Sequence, residues 1–280
     1  MIRAQKTLEP RLAAIGVNLE WKEFSAGPQL MEALGVGSVD VTYTGEPPPI
    51  FAQASGTPIV YLAQEEVGPA SVGVLVPKGS SIKSVADLKG KRVAMSKATN
   101  SQYLVARALE QVGLTLNDIE PAYLPPADGR IAFDGGRVDA WSTWDPFMAV
   151  AELAVDAQLI LDGKGFLPNS GFYLASKAFA DQNADIIRVI LEEVQKVNEQ
   201  AARNPAAIAA ILSSVYGVDK AALELTEKRR GHGIKVISDE AIAAQQTMAD
   251  IFFREKLLPK QVTVKDAVWT SNGKQILEQN

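Results

Sequence analysis

Up to Phe179, two periodicities alternate along the chain. Residues 17–21, 39–44, 58–64 and 71–76 are short apolar or alternating runs that predict strands, while residues 28–34 and the stretch from Pro47 repeat apolar positions three and four apart, as helices do. The pattern resumes with Ala86-Asp87-Leu88-Lys89-Gly90, a strand over 92–95, a helix over 101–112 and a strand over 120–124. Such alternation predicts α/β layers with a largely parallel sheet. Beyond Phe179 the text changes, and residues 186–198, 206–216, 220–230 and 239–255 all read as amphipathic helices. No Gly/Ser linker or low-complexity stretch separates these parts, so a hinge has to be built from short ordered segments, with residues 74–77 and 172–175 as candidates. The division that follows is a discontinuous first lobe, residues 1–76 with 175–280, and a second lobe, residues 77–174.

One internal repeat supports two similar lobes. Residues 37–47, Gly-Ser-Val-Asp-Val-Thr-Tyr-Thr-Gly-Glu-Pro, align with residues 136–146, Gly-Arg-Val-Asp-Ala-Trp-Ser-Thr-Trp-Asp-Pro. Each copy reads as glycine, strand, acidic residue and proline, and proline is favoured where a helix begins. Both copies therefore predict a helix N-terminus at the carboxyl end of a strand, the edge of an open α/β sheet where ligands sit.

Composition narrows the choice of chemistry. Hydrophobic residues make up 47% and charged residues 22%, the balance of a globular protein with a proper core. The net charge of -5 and the pI near 5.1 exclude a general affinity for nucleic acid or anionic membrane. Without cysteine there is no disulfide, thiolate metal site or cysteine nucleophile, and the single histidine, His232, makes neither a zinc site nor a paired-histidine relay. No Walker, dinucleotide-binding, nucleophile-elbow or His-Glu-x-x-His pattern occurs, so no cofactor is expected. No apolar run approaches a membrane span, and residues 1–6 lack the apolar core of a signal peptide.

Three segments could form a site. Lys97-Ala98-Thr99-Asn100-Ser101-Gln102 follows a strand and opens a helix, where free N–H groups and the helix dipole attract anions and Thr99, Asn100 and Ser101 add neutral donors; the same residues also make an ordinary N-cap. Thr44-Gly45-Glu46 ends the strand in the first copy of the repeat: Gly45 either admits a ligand to the backbone or makes a turn, and Glu46 is either a ligand contact or first-turn helix chemistry. Trp141 and Trp144 point to different environments; Trp144 is the candidate for the cleft, with Asp145 after it as a helix cap. His232 reads as a solvated loop residue and Arg229-Arg230 as a helix end facing the dipole.

Several segments together resemble the aliphatic sulfonate-binding proteins of ABC importers, within the taurine, nitrate and sulfonate solute-binding family. They are residues 21–30, Trp-Lys-Glu-Phe-Ser-Ala-Gly-Pro-Gln-Leu; residues 44–53, Thr-Gly-Glu-Pro-Pro-Pro-Ile-Phe-Ala-Gln; residues 87–94; Tyr123-Leu124-Pro125-Pro126-Ala127-Asp128; Val138-Asp139-Ala140-Trp141 with Trp144-Asp145-Pro146-Phe147; and Ile237-Ser238-Asp239-Glu240. The resemblance runs from the start to about Trp269 and implies a type II periplasmic-binding-protein-like fold, two α/β lobes on a two-segment hinge closing over the ligand. It implies a sulfonate head group near Thr44, Gly45, Glu46, Thr99, Asn100 and Ser101, with Trp144 and Asp145 on the cleft wall. It further implies a monomer that is periplasmic or tethered to the cell surface and docks on a membrane permease. Family members carry a signal sequence and a first strand of lobe 1 before the helix represented here by residues 6–15, and those features have no counterpart in this chain. The alternatives on the same fold are a sulfinate-cleaving or thiamine-pyrimidine-synthesising enzyme, the former requiring a cysteine, a regulatory sensor, or a binding protein for taurine or nitrate.

Overall fold

The predicted alternation resolves into two sheets, as two α/β lobes require, in a computed structural model that describes residues 1–271 and 275–279. The strands are β1 (Val41–Gly45), β2 (Ile59–Glu66), β3 (Val72–Val76), β4 (Arg92–Met95), β5 (Glu120–Tyr123), β6 (Ala140–Trp144), β7 (Gln158–Asp162), β8 (Ser170–Ser176) and β9 (Ile234–Lys235). The helices are α1 (Ile2–Gln5), α2 (Leu8–Ala13), α3 (Gly27–Gly35), α4 (Pro47–Ser55), α5 (Asn100–Gln111), α6 (Pro126–Asp134), α7 (Phe147–Ala154), α8 (Lys177–Gln182), α9 (Ala184–Arg203), α10 (Pro205–Tyr216), α11 (Lys220–Arg229) and α12 (Asp239–Arg254).

The first sheet has the order β1-β8-β2-β9 and the second β5-β4-β6-β3-β7. A largely parallel sheet is found only in part. β4 pairs in parallel with β5 and β6, but β3 runs antiparallel to β6 and β7, and β8 antiparallel to β1 and β2. The reason is the chain path. β3 follows β2 across to the second sheet and β8 follows β7 back to the first, so each arrives against the direction of its neighbours. The crossings lie at residues 67–71 and 163–169, upstream of the predicted hinge segments, which fall within or at the end of β3 and within β8. Residues 17–21, expected as a strand, form no ladder. Residues 17–22 and 38–43 both line a cavity of about 560 Å³, and a strand needs a partner for its backbone groups.

The repeat is realised as β1-α4 and β6-α7. Pro47 opens α4 as expected, whereas in the second copy Pro146 precedes the first helical residue and the Asp145 carboxylate accepts the N–H of Ala149 at 3.0 Å. Side chains of both sheets enter one apolar core, with Tyr61 edge-on to Phe172 in the first sheet, Val72 and Val93 in the second, and Leu104 of α5. Phe252 of α12 meets Phe51 of α4 and Tyr103 of α5, so one helix packs against elements attached to both sheets. Under α9, Ile187, Leu191 and Val194 form a stripe at spacings of four and three against β2 and β8, each contributing about 1.5–3 kcal/mol by burial.

Candidate functional site

A cavity of about 290 Å³ opens between the carboxyl ends of β1 and β6. Its first wall is the start of α5. Thr99 stands at the N-cap in extended backbone, but its hydroxyl turns back to donate to the carbonyl of Ser96 at 2.7 Å and leaves the helix start without a side-chain cap. Amide N–H groups of this first turn are thus unclaimed by a cap, which makes an anion-favouring end. The loop before it is held by Ser101, whose hydroxyl accepts the Ser96 N–H at 3.1 Å, and by Gln102, whose side-chain carbonyl accepts the Ala98 N–H at 2.7 Å. Ser101 is fully buried and supports the turn from below rather than lining the cavity.

The opposite wall is Thr44-Gly45 with Ser25-Ala26-Gly27 at the start of α3. Gly27 is required by contact: a Cβ there would stand 2.2 Å from the Thr44 hydroxyl and 2.4 Å from Pro48. A Cβ on Gly45 would come within 3.4 Å of the Asn100 amide, so the strand end of one sheet and the helix start of the other approach closely at this point. Asn100 bridges the two sides, its amide donating to Glu46 Oε2 at 3.0 Å and to Asn169 Oδ1 at 2.5 Å. Glu46 lies behind Asn100, buried and off the cavity surface, and burial pushes its carboxyl up to about 8 against hydrogen bonds from the Ser170 backbone and Asn100. Asn169, with a left-handed φ of 54°, organises the crossing into β8: its amide donates to the carbonyl of Gly68 at 2.8 Å and to the Ser71 hydroxyl at 2.9 Å.

Trp144 and Asp145 close the third side, and Trp141 is buried against Phe133 in the core between β6 and α6. Six of the eight expected residues, Thr44, Gly45, Thr99, Asn100, Trp144 and Asp145, meet on the one cavity; Glu46 and Ser101 stand behind it. Tyr43, Asn169, Ser170, Arg230 and residues 25–27 also line it and were not singled out from sequence. Gly27-Pro28 opening a helix was a readable signal, by the logic applied to 99–101. Arg230 carried no such signal. Its guanidinium donates to the buried Glu65 carboxylate, which also accepts from the Tyr173 hydroxyl at 3.1 Å, and although burial opposes the charge, Glu65 holds Arg230 above its ordinary value. Arg229 and Arg230 do end a helix, but both side chains turn inward to acids. His232 is not solvated: it is largely buried, Nε2 lies 3.4 Å from Glu227, and desolvation lowers its pKa. Among the described residues no group of His, Cys, Asp and Glu could hold a metal ion, and no helix is long and apolar enough to cross a membrane.

Two α/β units with an anion-favouring cleft between their strand ends define the class of periplasmic-type solute-binding folds, and the comparisons with known proteins agree. The NMT1/THI5 like family model matches residues 13–208. The chain is 39% identical over 262 residues to an Escherichia coli protein named for binding aliphatic sulfonates, a match covering 92% of this chain and 82% of that one. The alkanesulfonate-binding protein SsuA from Xanthomonas axonopodis pv. citri, solved with MOPS bound, superposes with a TM-score of 0.92 at 38% identity, over 96% of this chain and 93% of that chain. More distantly, the taurine-binding periplasmic protein of Escherichia coli is 26% identical over 195 residues, 68% of this chain and 59% of that one. This chain belongs to the NMT1/THI5-like family and, within it, to the aliphatic sulfonate-binding proteins.

Proposed function

We propose that the protein is the substrate-binding component of an ABC importer, capturing aliphatic sulfonates in the cleft and delivering them to a membrane permease. The observation that carries this reading is the meeting of an uncapped α5 N-terminus, the Thr44 hydroxyl and the Trp144 ring on one cavity of about 290 Å³. A sulfonate is anionic at every pH near neutral and needs only donors: the backbone N–H groups of the α5 first turn and the Thr44 hydroxyl hold its oxygens, the Thr99 and Asn100 side chains, already donating to Ser96, Glu46 and Asn169, shape that turn, and Trp144 packs on the alkyl group. Glu46 and Ser101 act from behind, Glu46 orienting the Asn100 amide and Ser101 the loop.

The lobes divide at the two crossings, residues 67–71 and 163–169, so β3 moves with the second lobe and β8 with the first. Closure about these segments brings Gly45 to Asn100. The protein works as a monomer on the outer face of the membrane, where its periplasmic relatives act. Turnover on the same fold is disfavoured, since a sulfinate-cleaving enzyme of the kind weighed above needs a cysteine and this chain has none.

Calorimetric titration with propane-1-sulfonate, nitrate and sulfate tests the reading. Saturable binding of the sulfonate, lost in Thr99→Ala/Asn100→Ala, is the expected result. A folded protein that ignores sulfonates and binds nitrate would send the assignment to another anion.

A further inference from the structure

Two asparagine side chains meet where the lobes join. Asn169 is fixed to the first sheet, because its backbone carbonyl accepts the N–H groups of Val67 and Gly68, each at 3.2 Å, and so continues the β2-β8 ladder one step past the Glu66–Ser170 pair. Its amide nitrogen donates to the Gly68 carbonyl at 2.8 Å and to the Ser71 hydroxyl at 2.9 Å. A backbone carbonyl can only accept, so the Gly68 bond determines that the other end of the Asn169 amide, Oδ1, points away from the crossing. Oδ1 in turn accepts from Asn100, the first residue of α5 in the second lobe, at 2.5 Å. The Asn100 amide nitrogen also donates to Glu46 Oε2 at 3.0 Å, just before α4 in the first lobe. Both hydrogens of this one amide therefore cross from the second lobe to the first, and all three residues are buried.

These bonds exist only while the lobes stand close. Asn100 moves with α5, whereas Glu46 and Asn169 move with the first sheet, so a rotation about the crossings that widens the cleft draws the donor away from both acceptors. Buried hydrogen bonds, one of them to a carboxylate, favour the arrangement in which they are made, and these two do so whether or not the cleft is filled. We propose that Asn100 is a closure latch: its side chain raises affinity by holding α5 against Asn169 and Glu46 of the first lobe, and it touches no ligand atom. A ligand that binds the closed form dissociates more slowly the longer that form is held. The proposal deepens the binding reading above and rests on it.

Asn100→Ala removes the donor, and Asn169→Gly removes one acceptor at a position whose left-handed φ of 54° suits glycine. Dissociation of propane-1-sulfonate, followed by stopped flow, should quicken at least fivefold in each variant, with association within about twofold of the intact protein. Both substitutions break the same bond, so the double variant should dissociate more slowly than the product of the two single effects demands. The chain has no cysteine, so Glu32→Cys on α3 and Asp128→Cys on α6, exposed positions on opposite lobes, accept a pair of spin labels. Without ligand, both variants should shift the label separation toward longer distances than in the labelled parent; at saturating propane-1-sulfonate all should coincide. Should Asn169→Gly lose its fold, Asn100→Ala alone still carries the rate and distance readouts. Equal ligand-free distances in parent and variants, an unchanged dissociation rate, or multiplicative effects in the double variant overturn the latch. If the intact, folded protein binds no sulfonate, the sulfonate reading fails while the ligand-free distances still decide the latch, so the two failures are told apart.

Discussion

In the first copy of the repeat, Gly45 ends the strand and Glu46 follows; in the second, Trp144 and Asp145 occupy those positions. Both acids sit at the strand ends beside a cleft whose other groups attract anions, and each is kept from presenting charge by a different means. Glu46 is buried and its carboxyl is raised to about 8, so it holds its proton at neutral pH. Burial also raises Asp145, to about 6, but Arg229 stands against it and supplies the opposite charge. The neighbouring residues diverge in the same way: Gly45 leaves room for Asn100 to approach, while Trp144 fills space and offers an apolar face. One strand-turn-helix pattern thus yields a polar wall in one unit and an apolar wall in the other, as a ligand with an anionic head and an aliphatic tail requires.

The sharpest way to separate the copies is at the second position of each strand. Trp141 is locked in the core beside Phe133, and Trp141→Ala should cost about 3–5 kcal/mol, read as a lower midpoint in denaturant. Thr42→Ala at the matching position should cost under about 1 kcal/mol.

The two acids differ in their proton linkage. Because the folded value of Glu46 lies above the ordinary 4.5, the native state binds the proton more tightly than the unfolded chain, and stability falls as pH rises from about 4.5 to about 8. Glu46→Gln should therefore melt close to wild type at pH 4.5 and exceed it by roughly 4 to 5 kcal/mol at pH 8.5. Equal melting curves across this range would mean that the carboxyl is solvated.

Binding distinguishes the strand ends. Gly45→Val places methyl groups where the Asn100 amide already stands 3.4 Å from a Cβ, and should weaken propane-1-sulfonate at least tenfold, about 1.4 kcal/mol, with little change in melting temperature. Trp144→Ala removes only the tail contact and should cost about 1 kcal/mol of affinity, more for longer alkyl chains than for methanesulfonate.

Much of this contrast was legible in the chain. Strand and helix periods located β1–β5 and helices α10–α12 within two residues, while α9 runs on to Arg203, five residues past its expected end, and β6 was marked by the repeat; where the reading held, each element buries one face and the spacing of apolar residues records it. The helix starts at Pro47 and Asn100 were readable from proline and from the Thr-Asn-Ser run. What escaped was pairing at a distance. Residues 17–21 have strand composition but no ladder partner, and β3 and β8 change sheet through crossings that leave no compositional mark. Arg229 and Arg230 read as a helix end since their acids, Asp145, Glu152 and Glu65, lie 84, 77 and 165 positions away. Glu46 and Ser101 stand next to residues of the cavity without lining it, because which side of the turn faces the cavity depends on Asn100 and Asn169 meeting across 69 positions.

The most direct test of the account is a crystal structure with propane-1-sulfonate bound. The expected result is a sulfonate within hydrogen-bond distance of the α5 first-turn N–H groups and the Thr44 hydroxyl, its propyl chain against Trp144 and no contact to the Asp145 carboxylate. A sulfonate held elsewhere, for instance in the cavity beside residues 17–22, would contradict it.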